Sequence, residues 1–334
     1  MKNLFAAAAI ATVGLGFGSA AMAQEDCGEI SMAEFNWASG ELLAAVDKII
    51  LEEGYGCDVE LVVGGTAPIF ASMNEKGTPD IAGEQWVNAV RQLVDQAIDE
   101  GRLFAVNTAP ITGLGEGWWV PPYTLEANPE LKTALDIIER PDLFPWAEDP
   151  SKGAIVGCPA GWGCQFVMNN LFQAYDMEAK GWVLVDPGSA AGLDGSIAKA
   201  NERGENWLGY YWSPTSIIGK YNLQPVPFGV EYAGDENWNG CISLETCIDP
   251  AKTSWIKSEV FTIVTDEFMQ RGGPINEYLA ARVYPGSVMG EMLVYMSEEQ
   301  ADGEDAAYEF LSRFENVWTQ WVSPEVAAKV KASL

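Results

Sequence analysis

Apolar positions along this chain switch between two periods, and each switch marks a predicted element. Leu42, Leu43, Val46, Ile49 and Ile50 recur at helical spacing behind a candidate N-cap, Ser39, and Gly54 stops the run. A continuous apolar stretch predicts a strand from Val59 to Val63, then a Gly64-Gly65-Thr66 turn, a short helix to Lys76 and a strand around Pro79 to Ala82. A helix from Trp86 to Glu100, ended by Gly101, leads to a strand from Leu103 to Val106. Glycines, two prolines and paired tryptophans break the rhythm between Thr112 and Leu125, which reads as a crossover. A second set follows: a helix opened by Asn128-Pro129, a strand from Ala154 to Gly157, a helix from Gln165 to Tyr175, a strand from Trp182 to Asp186, a helix from Ala190 to Asn201 and a strand from Trp207 to Trp212. Gln224 to Phe228 returns the chain, and a strand with several amphipathic helices closes it.

Strand and helix in alternation predict an α/β fold. A chain of 334 residues passes the size at which one core is usual, so two lobes are expected. Lobe 1 is discontinuous, from 24–115 and 225–334; lobe 2 is 116–224.

Residues 1–23 read as a secretory signal peptide: Lys2, an apolar run from Leu4 through Phe17, then Ala21-Met22-Ala23 as cleavage site. That predicts export, most simply to a periplasm. No cysteine directly follows the cleavage point, so no direct lipid anchor is expected, and no later run approaches the roughly 20 apolar residues of a spanning helix. A net charge of -29 excludes nucleic acid and anionic lipid as partners, since both need a cationic surface.

Six cysteines form an even set, and in an exported chain disulfides are the default. Local pairing is favoured: Cys27 with Cys57 at the starts of two strands, Cys158 with Cys164, and Cys241 with Cys247, although spacing alone does not fix connectivity. Zinc is a poor fit without histidine or a CxxC pair. The acidic, amide-rich loop holding Asp235, Glu236, Asn237 and Asn239 is a candidate calcium site, with a solvated loop as the plainer reading. No cofactor is otherwise required.

Tryptophan carries the functional signal. Trp37, Trp86, Trp118, Trp119, Trp162 and Trp212 stand where strands turn into loops, among glycine, proline and polar residues. Ligands of open α/β sheets bind outside the carboxyl ends of strands, and indoles gathered there make an aromatic box for a quaternary ammonium or similar methylated head group. Each taken alone fits core packing equally well. Trp182, Trp255, Trp318 and Trp321 lie in strand-like or amphipathic runs and read as ordinary packing. Enzymatic chemistry finds little support, because no Ser-His or Cys-His pair exists in a chain without histidine and no phosphate-cradling loop occurs.

The NW before the first helix, GGTAPIF, PDIAGEQW, GWWVPPY and YYWSP together resemble the substrate-binding proteins of ABC importers for glycine betaine, choline and related methylated amines. Within that family the chain looks closest to the trimethylamine N-oxide binding proteins of marine bacteria. The resemblance implies a type II periplasmic binding protein: two lobes, a two-strand hinge, ligand in the cleft between them, and membrane permease and ATPase subunits as partners. It places the cage on Trp37, Trp86, Trp119, Trp162 and Trp212, with Trp118 competing with its neighbour because adjacent strand residues face opposite ways.

The segments around these tryptophans hold neither lysine nor arginine, while Glu34, Glu84 and Glu116 each lie within three residues of one. Individually these are ordinary solvated or capping carboxylates; together they favour a ligand without a free carboxylate. Trimethylamine N-oxide is the expected ligand, with choline, glycine betaine or dimethylsulfoniopropionate as alternatives. A secreted glycoside hydrolase or sugar-binding protein is the rival from another class, since it would also be acidic and tryptophan-rich.

Overall fold

A computed structural model describes residues 27–334 and contains two five-stranded sheets flanked by helices. The signal-peptide segment, 1–23, lies outside the described residues. The first sheet has the order β2-β1-β3-β10-β4, with β1 Glu29–Phe35, β2 Asp58–Gly64, β3 Ile81–Trp86, β4 Leu103–Asn107 and β10 Val260–Thr265. The second has the order β7-β6-β8-β5-β9, with β5 Gly115–Val120, β6 Gly153–Val156, β7 Trp182–Val185, β8 Gly209–Ser213 and β9 Gln224–Pro225. Strands β1, β2 and β3 are parallel, as are β6, β7 and β8; β10 runs antiparallel in the first sheet and β5 in the second. This is the expected α/β architecture of two lobes.

Local structure follows the apolar pattern. The stripe Leu42, Leu43, Val46 and Ile49 of α1, Ala38–Ile49, is buried, and Ile50 continues it into a π-helical turn. Each such side chain contributes roughly 1.5–3 kcal/mol on leaving water, an upper estimate against a compact unfolded chain. The helix does not use Ser39 as its N-cap: Trp37 occupies that position without a side-chain cap, and the Ser39 hydroxyl points instead to a buried carboxylate described below.

Two predicted starts move for similar reasons. Trp86 belongs to β3, where it pairs with Val260, and the following helix begins only at Arg91 and runs to Asp99. Asn128 opens no helix, since its amide turns back to Thr124 O at 2.8 Å; the next helix starts after Thr133, in a capping box with Asp136.

The return between lobes also falls later than residue 225. Val226 N–H donates to Trp118 O at 2.8 Å, Ala134 N–H to Pro227 O at 2.8 Å, and the Asn170 amide to the carbonyls of Cys241, Ile242 and Leu244. Tyr175 OH reaches Thr253 O at 3.0 Å. Residues 226–256 therefore lie on lobe 2, and the backbone rejoins lobe 1 just after β3, where the Asn88 amide donates to Lys257 O and Val87 N–H to Glu259 O, both at 3.1 Å. Pro225 ends the edge strand β9, where a missing N–H is tolerated.

All six cysteines are paired as favoured, with Cα separations of 4.9 Å for Cys27–Cys57, 5.7 Å for Cys158–Cys164 and 4.6 Å for Cys241–Cys247. Among the described residues no helix is long and apolar enough to cross a membrane.

Candidate functional site

Strand polarity brings the site together. Trp37 follows β1, Trp86 ends β3, Trp162 lies in the loop after β6 and Trp212 lies at the end of β8. All four line one cavity between the lobes, together with Glu116, Tyr210, Trp238 and Trp255. Indole walls meet at corners: Trp37 and Trp162 are 5.2 Å apart between centroids at 73°, and Trp162 and Trp212 are 5.1 Å apart at 83°. Edge-to-face contact of this kind is favourable in itself and makes a box with faces on several sides.

Lobe 2 reaches lobe 1 through the loop that the Cys158–Cys164 disulfide closes. Trp162 Nε1 donates to Asn36 Oδ1 at 2.9 Å, and Gly161 packs so closely on Gly65 that a Cβ at Gly65 would stand 2.7 Å from Gly161 O. Across the other side, Trp238 Nε1 donates to Asn88 O at 3.0 Å.

The indole N–H groups are mostly spent on protein. Those of Trp37 and Trp86 go to Glu84 Oε1, that of Trp162 to Asn36 and that of Trp238 to Asn88, whereas the buried Trp255 Nε1 is directed at Glu116 without closing a hydrogen bond of ordinary geometry among the described residues. Among the described residues no lysine or arginine lines the cavity. The polar end is made by Glu116, which accepts Tyr210 OH at 3.0 Å, with Trp255 and Ser258 close by. Glu116 is enclosed by protein and accessible only in part. Burial pushes its carboxyl up to about 7, against the pull of its neighbouring donors. Burial, with Glu116 beside it, raises the Tyr210 phenol well above its ordinary value, so it remains a donor.

The other sequence candidates lie elsewhere. Trp118 is 1 % exposed, with its N–H on Met168 Sδ at 3.3 Å and its ring against Phe228 and Tyr175. Trp119 is buried on the opposite face of β5 and does not line the cavity. Glu34 is also outside it, half-buried near Glu41 and Asp302; burial, with Asp302, raises its carboxyl. Glu84 does not line the cavity either, but it binds two of the walls.

Three lining aromatics escaped the sequence reading. Trp255 was grouped with packing tryptophans on its strand-like run, although residues 251–259 form no strand. Trp238 stood in the loop read for calcium, and its glycine and amide neighbours were the available signal. Tyr210 shares a face with Trp212 by the two-residue period of a strand. In the calcium candidate, Asp235 accepts from Tyr232 OH at 2.9 Å, and Asn237 exchanges two hydrogen bonds with Ala251. Among the described residues no group of three or more acidic, cysteine or histidine side chains gathers as a metal site.

The family described as the substrate binding domain of ABC-type glycine betaine transport systems matches residues 28–313. An ABC-transporter choline binding protein in complex with choline superposes with a TM-score of 0.73 at 17% identity, covering 92% of this chain and 99% of that one. The glycine betaine and L-proline binding protein of Borrelia burgdorferi gives 0.71 at 16% identity, covering 90% and 99%. A lactococcal glycine betaine binding domain, closed on its ligand, gives 0.66 at 17% identity, covering 89% and 100%. At such identities these structures speak to the fold alone.

Proposed function

Because the chain belongs to the family of substrate-binding domains of ABC-type glycine betaine transport systems, we propose that it captures trimethylamine N-oxide in the periplasm and delivers it to the permease and ATPase subunits of its importer. The observation that carries the ligand is the cavity's polarity: indole faces all round, one carboxyl at one end, and no cation anywhere on the wall. A trimethylated nitrogen gains roughly 0.5–2 kcal/mol from each well-placed indole face in addition to apolar burial. The N-oxide oxygen needs donors, and two stand at the polar end: the N–H of Trp255, which is directed at Glu116, and, below about pH 7, the Glu116 hydroxyl. A betaine carboxylate would meet neither a guanidinium nor an ammonium there, and would face Glu116 at short range.

Choline is the second reading, favoured by the same carboxyl once ionised, when it becomes a counter-ion for a permanent cation. A sugar is disfavoured, since the cavity offers few hydrogen-bond partners for many hydroxyls. Calorimetry with trimethylamine N-oxide, choline, glycine betaine and dimethylsulfoniopropionate at pH 6 tests the proposal. The N-oxide is expected to bind most tightly, and glycine betaine as the tightest ligand would overturn it.

A further inference from the structure

Glu84 holds two walls of the cage without facing what fills it. It lies two residues before Trp86 on β3, on the same face, and is completely buried. Its Oε1 accepts the indole N–H of Trp37 at 2.9 Å, that of Trp86 at 3.0 Å and the Ser39 hydroxyl at 2.8 Å, while Oε2 has no partner. Trp37 and Trp86 line the cavity and Glu84 does not, so both N–H edges are drawn away from the ligand. Behind it Arg282, fully buried and paired with Asp47, donates Nη2 to Gly83 O at 3.0 Å and fixes the strand one residue earlier. Burial raises the Glu84 carboxyl on balance, while the three donors converging on Oε1 and the Arg282 charge favour its ionised form.

We propose that Glu84 is a positioning and selectivity residue: it turns the rings of Trp37 and Trp86 to the cavity, withholds their N–H groups from the ligand, and sets a buried negative charge against any ligand carboxylate. The inference rests on a methylated-ammonium ligand, as proposed above. One residue thereby acts with opposite sign on the two ends of a betaine. A methylated cation is drawn to rings backed by an anion, and a carboxylate is repelled by the same anion while losing two donors that could have met it.

Tetramethylammonium, a head group with no other end, and glycine betaine are the two probes. Their affinities are measured by calorimetry on the wild-type protein, on Glu84→Gln, which keeps an acceptor oxygen without the charge, and on Glu84→Leu, which keeps neither. In parallel, indole N–H signals are followed by nitrogen-15 NMR and assigned through Trp37→Phe and Trp86→Phe. The Trp37 and Trp86 signals are expected downfield in the wild type, little moved in Glu84→Gln and shifted upfield in Glu84→Leu. The affinity ratio of glycine betaine to tetramethylammonium is expected to rise about tenfold in Glu84→Gln. Equal weakening of both probes in Glu84→Gln would show a merely structural residue and overturn the proposal, as would indole signals indifferent to Glu84→Leu. Should Glu84→Leu not fold, the ratio in Glu84→Gln decides. A wild-type protein that binds neither probe and no trimethylamine N-oxide would sink the ligand reading instead, leaving the indole signals to decide the positioning role.

Discussion

The same short pattern, glutamate two residues before tryptophan, occurs at Glu84-Gln85-Trp86 in β3 and at Glu116-Gly117-Trp118 in β5, and the two are used in opposite ways. In β3 the tryptophan lines the cavity and the glutamate lies beneath it; in β5 the glutamate lines the cavity and the tryptophan is buried in the core. Within each pair both side chains share a face of the strand, so facing does not distinguish them. Direction does. Strand β3 runs toward the cleft beside parallel β1 and reaches it with Trp86, whereas β5 runs antiparallel to β8, so Glu116 stands opposite Trp212 at the cleft and Trp118 opposite Tyr210 one step deeper. Polarity in the sheet thus converts one sequence motif into a wall with a hidden carboxylate in one lobe and a cavity-lining carboxyl with a hidden indole in the other.

The two halves complete a site only when the lobes touch, so the largest effect is expected from keeping them apart. Gly65 has φ -96°, which alanine adopts freely, but its added Cβ would lie 2.7 Å from Gly161 O in the other lobe. Gly65→Ala is expected to lower affinity by about a hundredfold, roughly 2.7 kcal/mol, while the ligand-free melting temperature changes little. Calorimetry beside thermal melting checks this, and full affinity in the variant would show that the contact is dispensable.

Next comes the contrast between the tryptophans themselves. Trp86→Ala should weaken ligand binding by about tenfold or more with a modest change in stability, whereas Trp118→Ala should cost about 3–5 kcal/mol in denaturant unfolding and leave the dissociation constant of the folded protein unchanged. Two variants that behave alike would erase the distinction between the strands.

Glu116 gives the pH signature. With its carboxyl near 7 and the N-oxide bound through the protonated form, affinity is full below that value and falls as pH rises through it; between pH 6 and 8 the loss is about tenfold. Choline should follow the opposite course, gaining as the carboxyl ionises. Glu116→Gln should flatten both profiles, and a wild-type profile that is already flat would exclude this role for Glu116.

The smallest effect belongs to the disulfide behind Trp162. Serine at both Cys158 and Cys164 releases a loop of sequence separation 6, which still has the Asn36 contact and Gly161 N–H on Gln165 Oε1. A loss of about threefold in affinity is expected, because short loops gain little entropy when opened. Unchanged affinity with lowered stability would move this bridge from the site to the scaffold.

By itself the sequence determined the alternation of strands and helices and four of the cavity's indoles, because each depends on local spacing: apolar period, turn residues, tryptophan at a strand's end; chain length suggested two lobes, and the cysteine pairing was favoured but not fixed. Tertiary structure alone decided where the paired tryptophans at 118 and 119 would stand, and neither lines the cavity, since depth along a strand depends on which way it runs in its sheet. It also decided that Ser39 leaves its helix to meet Glu84, that residues 226–256 stay on lobe 2, and that Trp238, Trp255 and Tyr210 join the cavity. Those facts depend on partners tens to hundreds of residues away, and no local pattern records the free energy of a contact whose other half is elsewhere in the chain.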